Sequence, residues 1–444
     1  MRRRIALVLL TLLLTLAGCG GRQNDAPTDA PNSGGMSGTP NAAPYDEAAG
    51  VRDSPSAQDP PSRYLPETSP AKELSAEEKE EQDAARRAHE REERLAEQLR
   101  GMTVEEKVGQ LFFAFCPESG AEEKIARYHL GGVLLFTRDY QDASGDWLTA
   151  EALSSKLEAF QDTAANDTGL PLFIGSDEEG GTVTRASRNP YLFPEKSRSP
   201  QALYAMGGIG AILNDAMEKN FRLNELGINV NFAPVCDVST DARDFIYDRT
   251  LGLDAEATTG YVTRVVLAMG DAGMGSVLKH FPGYGSNADT HTGAAVDDRP
   301  YEQFEQSDFL PFRAGVEAHG KIEPFVLVSH NIVNCMDAEL PASLSPAVHR
   351  VLREELGFAG VILTDDLAMD AVKAHAEDGD VAVLALLAGN DMIVTTDFET
   401  QIPQVLAAVA DGTLPERVID AACLRVLRAK DARFLTPWEM KGEG

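Results

Sequence analysis

Residues Lys279 to His291 read KHFPGYGSNADTH. Two basic groups, Lys279 and His280, close the apolar run Ser276-Val277-Leu278, and Asp289 and His291 lie two apart in the Gly- and Pro-rich loop that follows. A histidine can give and take a proton near neutral pH, because its free pKa is near 6.5. A carboxylate beside it would favour the imidazolium and fix the tautomer. Asp365, in Thr364-Asp365-Asp366, ends another apolar run. A carboxylate held at a strand end suits a nucleophile. A proton donor paired with a carboxylate nucleophile is the equipment of retaining glycosidic cleavage. An Asp-x-His spacing alone is no motif, and both residues are ordinary in loops. The chemistry depends on what else reaches the same place.

Eight apolar runs alternate with helical patterns: Gln110 to Phe115, Gly132 to Phe136, Pro171 to Gly175, Val230 to Val235, Ser276 to Leu278, Phe325 to Val328, Gly360 to Leu363, and Met392 to Val394. Amphipathic stretches such as Thr149 to Ala165, Ala202 to Leu226, Pro346 to Leu356 and Val381 to Ala388 separate them. Continuous apolar strands alternating with helices predict a parallel sheet covered by helices. Eight units predict a closed α/β barrel of the (β/α)8 TIM-like type, with its chemistry at the C-terminal strand ends. An open doubly wound sheet is the alternative, weakened because no dinucleotide glycine fingerprint follows the first strand.

The strand ends are polar. They carry Asp177-Glu178-Glu179, Cys236-Asp237 with Asp248-Arg249 beyond, Lys279-His280, Ser329-His330-Asn331, Thr364-Asp365-Asp366, and Thr395-Thr396-Asp397. Each could be a helix cap or a solvated turn; in a barrel they converge. Carboxylates mixed with Arg and Lys suit sugar hydroxyls. Asp177, Asp365, Asp366 and the histidines could instead hold a cation, but no metal-ligand spacing appears, and neither metal nor other cofactor is expected.

The amino-terminal quarter reads differently. Arg2, Arg3 and Arg4 precede an apolar run from Ile5 to Leu16 that ends Leu16-Ala17-Gly18-Cys19. That is a secretory signal, too short to span a bilayer, which takes about 20 apolar residues. It resembles a bacterial lipoprotein signal, in which cleavage precedes the cysteine, so Cys19 would carry lipid. The expected organisation is a signal peptide over 1–18, a disordered Pro/Gly/Ser-rich tether over 19–72, a charged helix over 73–101, and one catalytic domain over 102–436. About 55 residues of tether would span roughly 40 Å. Location follows: exported, and lipid-anchored to the outer face of the bacterial cell membrane. A net charge of −30 argues against nucleic acid. Cys116, Cys236, Cys335 and Cys423 are expected as buried thiols, although an exported protein permits disulfides. His319, His349 and His375 are expected at the surface, and Asp237 and His330 are undecided between site and scaffold.

From Met102 to Lys430 the chain resembles glycoside hydrolase family 3, in its single-domain β-N-acetylglucosaminidase branch. The motifs are DEEGGTVTR (Asp177 to Arg185), NFAPVCDV (Asn231 to Val238), DRTLG (Asp248 to Gly252), KHFPGYGSNADTH, LPASLSP (Leu340 to Pro346) and GVILTDDLAM (Gly360 to Met369). The resemblance implies that Asp177, Arg185, Arg249, Lys279 and His280 contact the sugar. It also implies that Asp365 is the nucleophile, that Asp289 and His291 form the acid/base dyad, and that Asp366 orients its neighbour or caps a helix. Many relatives have His where Tyr284 stands and Arg where Thr182 stands, which bears on leaving-group preference. The expected activity is retaining exo-hydrolysis of terminal β-linked N-acetylglucosamine from cell-wall or related amino-sugar glycans by a monomer. A phosphorylase of the same glycosides, a β-glucosidase and a non-catalytic sugar-binding lipoprotein are the rivals.

Overall fold

The computed structural model describes residues 75–287, 295–318, 320–373, 375 and 380–438. Asp289, His291, His319, Cys19 and the whole signal and tether lie outside them. Among the described residues eight strands form one parallel sheet: β1 (Phe112–Phe115), β2 (Gly132–Leu135), β3 (Phe173–Ser176), β4 (Val230–Asn231), β5 (Gly275–Phe281), β6 (Phe325–Val328), β7 (Ile362–Thr364) and β8 (Ile393–Thr395). Each falls on one of the eight apolar runs. Neighbours pair in chain order, and β1 also pairs with β8 through Phe113 and Val394. The ring closes between β7 and β8, where Leu363 bridges Met392 and the Thr364 amide donates to the Met392 carbonyl at 3.1 Å.

Aromatic side chains fill the barrel. Phe113 stacks with Phe173 at 6.3 Å between centroids and meets Phe232 edge-on at 5.2 Å, and Phe173 meets Phe325 edge-on at 5.3 Å. Such pairs add about 0.5–1.5 kcal/mol each beyond the area they bury. Gly175 makes the room, since a Cβ there would lie 2.9 Å from both Phe113 and Phe232. That is closer than packed carbon atoms come.

The outer helices start where the sequence supplies caps. Thr149 accepts from the Ala152 amide ahead of Ala150–Thr168. Ser199, with Pro200 at the first position, accepts from Ala202 ahead of Pro200–Glu225, a helix broken internally at Gly207-Gly208. Asp254 accepts from Ala257 ahead of Ala255–Asp271. Each side chain satisfies an amide that the helix leaves open. The charged helix Ala76–Gly101 buries only Leu95. It joins the last helix, Glu416–Trp438, by ion pairs of Arg91 and Arg94 with Asp431 and of Glu92 with Arg428. Among the described residues no helix is long and apolar enough to cross a membrane.

Three expectations are corrected. The stretch from Pro346 to Leu356 is α-helical only to Arg350, then widens to a π-turn over Val351–Glu355. There Arg353 reaches the Phe358 and Gly360 carbonyls. His349 is buried rather than at the surface, because its face turns under Gly389 and its Nδ1 bonds the Ser345 carbonyl at 2.8 Å. Burial holds its pKa below the ordinary value. Cys335 is exposed, while Cys116, Cys236 and Cys423 are buried, and all four are free thiols.

Candidate active site

The C-terminal ends of the strands surround a cavity of about 320 Å³. It is lined by Phe232 just past β4, Leu327 of β6, Val394 of β8, and Phe115 and Phe136, whose rings stack at 4.4 Å. Asp177, Arg185, Arg249, Lys279, His280, Asp365 and Asp366 also line it. The rim therefore gathers every candidate sugar contact and the candidate nucleophile. The dyad Asp289/His291 lies outside the described residues, between the described ends at 287 and 295.

The charged groups interlock. Lys279 Nζ donates to Asp177 Oδ1 and Glu179 Oε1, both at 2.6 Å. Arg249 forks onto Glu179, at 3.0 Å from Nε and 2.7 Å from Nη2. Burial would raise the Glu179 carboxyl, but Arg249 and Lys279 outweigh it and hold the group well below the usual carboxylate range. Burial likewise opposes the Arg249 charge, and Glu179 overcomes it, raising the guanidinium further. These charges persist at any physiological pH. Removing one member of such a buried set leaves the others uncompensated and typically costs about 3–5 kcal/mol.

Arg249 Nη2 also lies 2.9 Å from His280 Nε2, and His280 Nδ1 lies 2.8 Å from Asp237 Oδ2. A guanidinium only donates, so Nε2 accepts and the ring proton sits on Nδ1, facing Asp237. Asp237 is fully buried and also accepts from the His280 and Tyr284 amides. It is scaffold: it sets the imidazole and the start of the loop together. The Lys279–His280 peptide is cis, and both side chains of the pair reach the cavity.

Arg185 Nη2 bonds Asp177 at 3.2 Å, and its guanidinium lies 4.9 Å over the Phe136 ring. Its Nε is buried and pairs with nothing among the described residues, which leaves a donor for a bound molecule. Glu178 is fully buried beneath it, accepting from the Arg185 amide at 2.8 Å and from the Ser187 hydroxyl. On the opposite side the Asp365 amide donates to the Val328 carbonyl at 3.0 Å, and Asp365 Oδ1 accepts from the Asp366 amide at 2.9 Å. Asp366 turns its carboxylate to the Ala368 and Thr396 amides, and its carbonyl lies 3.0 Å from His330 Nε2. Asp366 and His330 thus secure the turn that presents Asp365.

Sequence reasoning misses the roles of Glu178 and Glu179. The available signal was three acids in succession after a buried strand, too many for a turn that needs one cap.

Residues 103–429 match the glycosyl hydrolase family 3 N-terminal domain. The chain belongs to glycosyl hydrolase family 3. Within the family it is 30% identical over 342 residues to beta-hexosaminidase LpqI of Mycobacterium tuberculosis, covering 74% of this chain and 83% of that one. It is 30% identical over 330 residues to beta-hexosaminidase A of Pseudoalteromonas piscicida, covering 69% of this chain and 54% of that longer protein. Among solved structures, a family 3 β-N-acetylglucosaminidase from Paenibacillus sp. FPU-7 superposes with a TM-score of 0.67 at 31% identity, covering 75% of this chain and 63% of that one.

Proposed function

We propose that this family 3 member is a glycoside hydrolase that removes terminal β-linked N-acetylhexosamine, N-acetylglucosamine foremost, with retention of configuration. The names of its relatives support the substrate class. The observation that carries the mechanism is the distribution of roles on the rim. Asp177, Glu179 and Asp237 are committed to Lys279, Arg249 and His280. Asp365 stands on the cavity at the end of β7, its backbone fastened to β6.

In the first step an Asp365 carboxylate oxygen attacks the anomeric carbon as the glycosidic bond breaks. The leaving oxygen takes a proton from the acid/base group. In the second step water, deprotonated by the same group, attacks the anomeric carbon and releases Asp365. His280 does not suit that role, since its Nε2 faces the Arg249 guanidinium as an acceptor and so has no proton there to give. His291, oriented by Asp289, fills the role. Asp177, Arg185, Arg249, Lys279 and His280 hold the sugar hydroxyls.

The domain would work as a monomer outside the cell, tethered through a lipidated Cys19, on amino-sugar glycans such as cell-wall fragments. The Leu16-Ala17-Gly18-Cys19 junction supports the anchor, and Cys19→Ser should move the protein from the membrane to the soluble fraction.

The mechanism is tested with a chromogenic β-N-acetylglucosaminide. Asp365→Ala should lose at least about 10³-fold in kcat, and a slow fluorinated amino sugar should label the peptide containing Asp365. Undiminished turnover by Asp365→Ala, or a label elsewhere, would overturn the assignment. Running the assay with and without phosphate separates hydrolysis from phosphorolysis by the product.

A further inference from the structure

The chain leaves β5 through Pro282 to Asn287 and returns at Ala295, entering the short strand Val296–Asp297, which pairs in parallel with Ile332–Val333. The two described ends meet one side chain, Arg299. Its Nε lies 3.0 Å from both carboxylate oxygens of Asp297, and its Nη2 lies 2.8 Å from Asp297 Oδ2. Its Nη1 bonds both oxygens of Asp308, at 3.0 and 2.9 Å. Nη2 also donates to the Gly283 carbonyl at 3.3 Å. The guanidinium lies 4.3 Å over the Phe304 ring. Asn287 adds a further tie, its Nδ2 reaching Asp297 Oδ2 at 2.9 Å.

The chain lies directly on this knot. A Cβ on Gly283 would collide with Asp308, and one on Gly285 with Arg299; both glycines have positive φ. Asp297 and Asp308 are nearly fully buried, at 3% and 1% side-chain exposure, so the cation between them is held from several sides. One guanidinium therefore fastens the outgoing limb at Gly283, the returning limb at Asp297, and both to Asp308 on the flanking helical segment. Only a planar fork with five donors can serve three such partners.

We infer that Arg299 is a positioning residue for proton delivery: it fixes both ends of the segment that carries Asp289 and His291 relative to Asp365. The inference rests on His291 being the acid/base group. Arg299 is not among the residues that line the rim cavity. Its contribution is that a proton donor misplaced by about 1 Å can lose about 10²-fold in rate.

The test separates positioning from general support by leaving group. A poor leaving group, as in the methyl β-N-acetylglucosaminide, needs protonation in the first step; a 2,4-dinitrophenolate does not. kcat/KM reports that first step for both. Arg299→Lys keeps the charge and loses the fork, so it should fold. It should lower kcat/KM about 10-fold or more on the methyl glycoside and less than about threefold on the dinitrophenyl glycoside. Arg299→Gln should widen the gap. Should Arg299→Gln fail to fold, the Lys variant decides alone. Parallel losses on the two substrates, or none on either, overturn the inference. His291→Ala is the reference and should lose about 10²–10⁴-fold on the methyl glycoside only. If His291→Ala shows no such selectivity, the acid/base assignment fails and the inference falls with it. If it does and Arg299→Lys does not, only the inference falls.

Discussion

Two buried lysines sit at opposite ends of the barrel. Lys279, at the C-terminal rim, lies between Asp177 and Glu179. Lys430, on the last helix, has its ammonium 2.6 Å from Gln110 Oε1 and 5.2 Å over the Phe173 ring, at the N-terminal end of β3. Burial pushes the Lys430 pKa down to about 7, with the Cys423 thiol offsetting only part of that. Both side chains are almost wholly out of water, and what differs is where the carboxylates are. At the rim, charge is met by charge. At the floor, it is met by an amide dipole and an aromatic face, and whether it exists depends on pH. A rim built this way keeps a cation ready for a polar ligand; the floor gains nothing from one.

Of the changes that probe this contrast, Lys279→Met should give the largest effect. It leaves Asp177 and Glu179 sharing a buried site with less positive charge, and kcat/KM should fall about 10²–10³-fold, with about 3–5 kcal/mol of stability lost. Steady-state kinetics and chemical denaturation read both, and a rim whose charges matter only for folding would leave the kinetics of the folded fraction intact. Asp237→Asn should come next. An amide can offer His280 Nδ1 a donor, which would move the ring proton to Nε2, against Arg249, and would leave the His280 amide unpaired; a loss of about 10²-fold in kcat/KM is expected, with about 1–3 kcal/mol of stability. Equal activity of the two proteins would show that the tautomer is irrelevant.

The floor lysine predicts a pH effect of definite sign. Its folded pKa, about 7, lies below the ordinary 10.5. Between those values the unfolded chain holds a proton that the folded chain does not, so stability rises with pH, by up to about 1.4 kcal/mol per unit. Below pH 7 the whole cost of the buried charge is present. Lys430→Met should flatten the slope between pH 7 and 9, as read by urea midpoints; an unchanged slope would assign the effect to another group. The smallest effect belongs to the half-exposed Glu92–Arg428 pair. Glu92→Gln should cost less than about 1 kcal/mol, shrinking further in salt.

The barrel was legible because each of the eight strands falls on a short apolar run, and a strand buried on both faces has no other pattern to show. Lys279 was legible because it closes an apolar run, whereas Arg185 and Arg249 were legible through the resemblance of DEEGGTVTR and DRTLG to family 3 motifs. Glu179 was not, because its importance comes from Arg249, 70 residues away, and from Lys279, a relation no local pattern contains. Arg299 was hidden in the same way: in sequence it is an ordinary Asp-Asp-Arg-Pro turn, and only folding brings Asp308 and Gly283 to it. His349 was misplaced at the surface because helical spacing gives a face but not which neighbour covers it. Asp289 and His291 stand on sequence reasoning and on the unsuitability of His280.

The cavity at the rim holds about 320 Å³, at the small end of ligand pockets. In the exo-hydrolase proposed above, such a recess would take the tip of a polymer and not its middle. Digestion of a long amino-sugar chain should therefore release monosaccharide from the first turnovers while the viscosity of the solution hardly changes, whereas random scission would thin the solution before any monomer appeared.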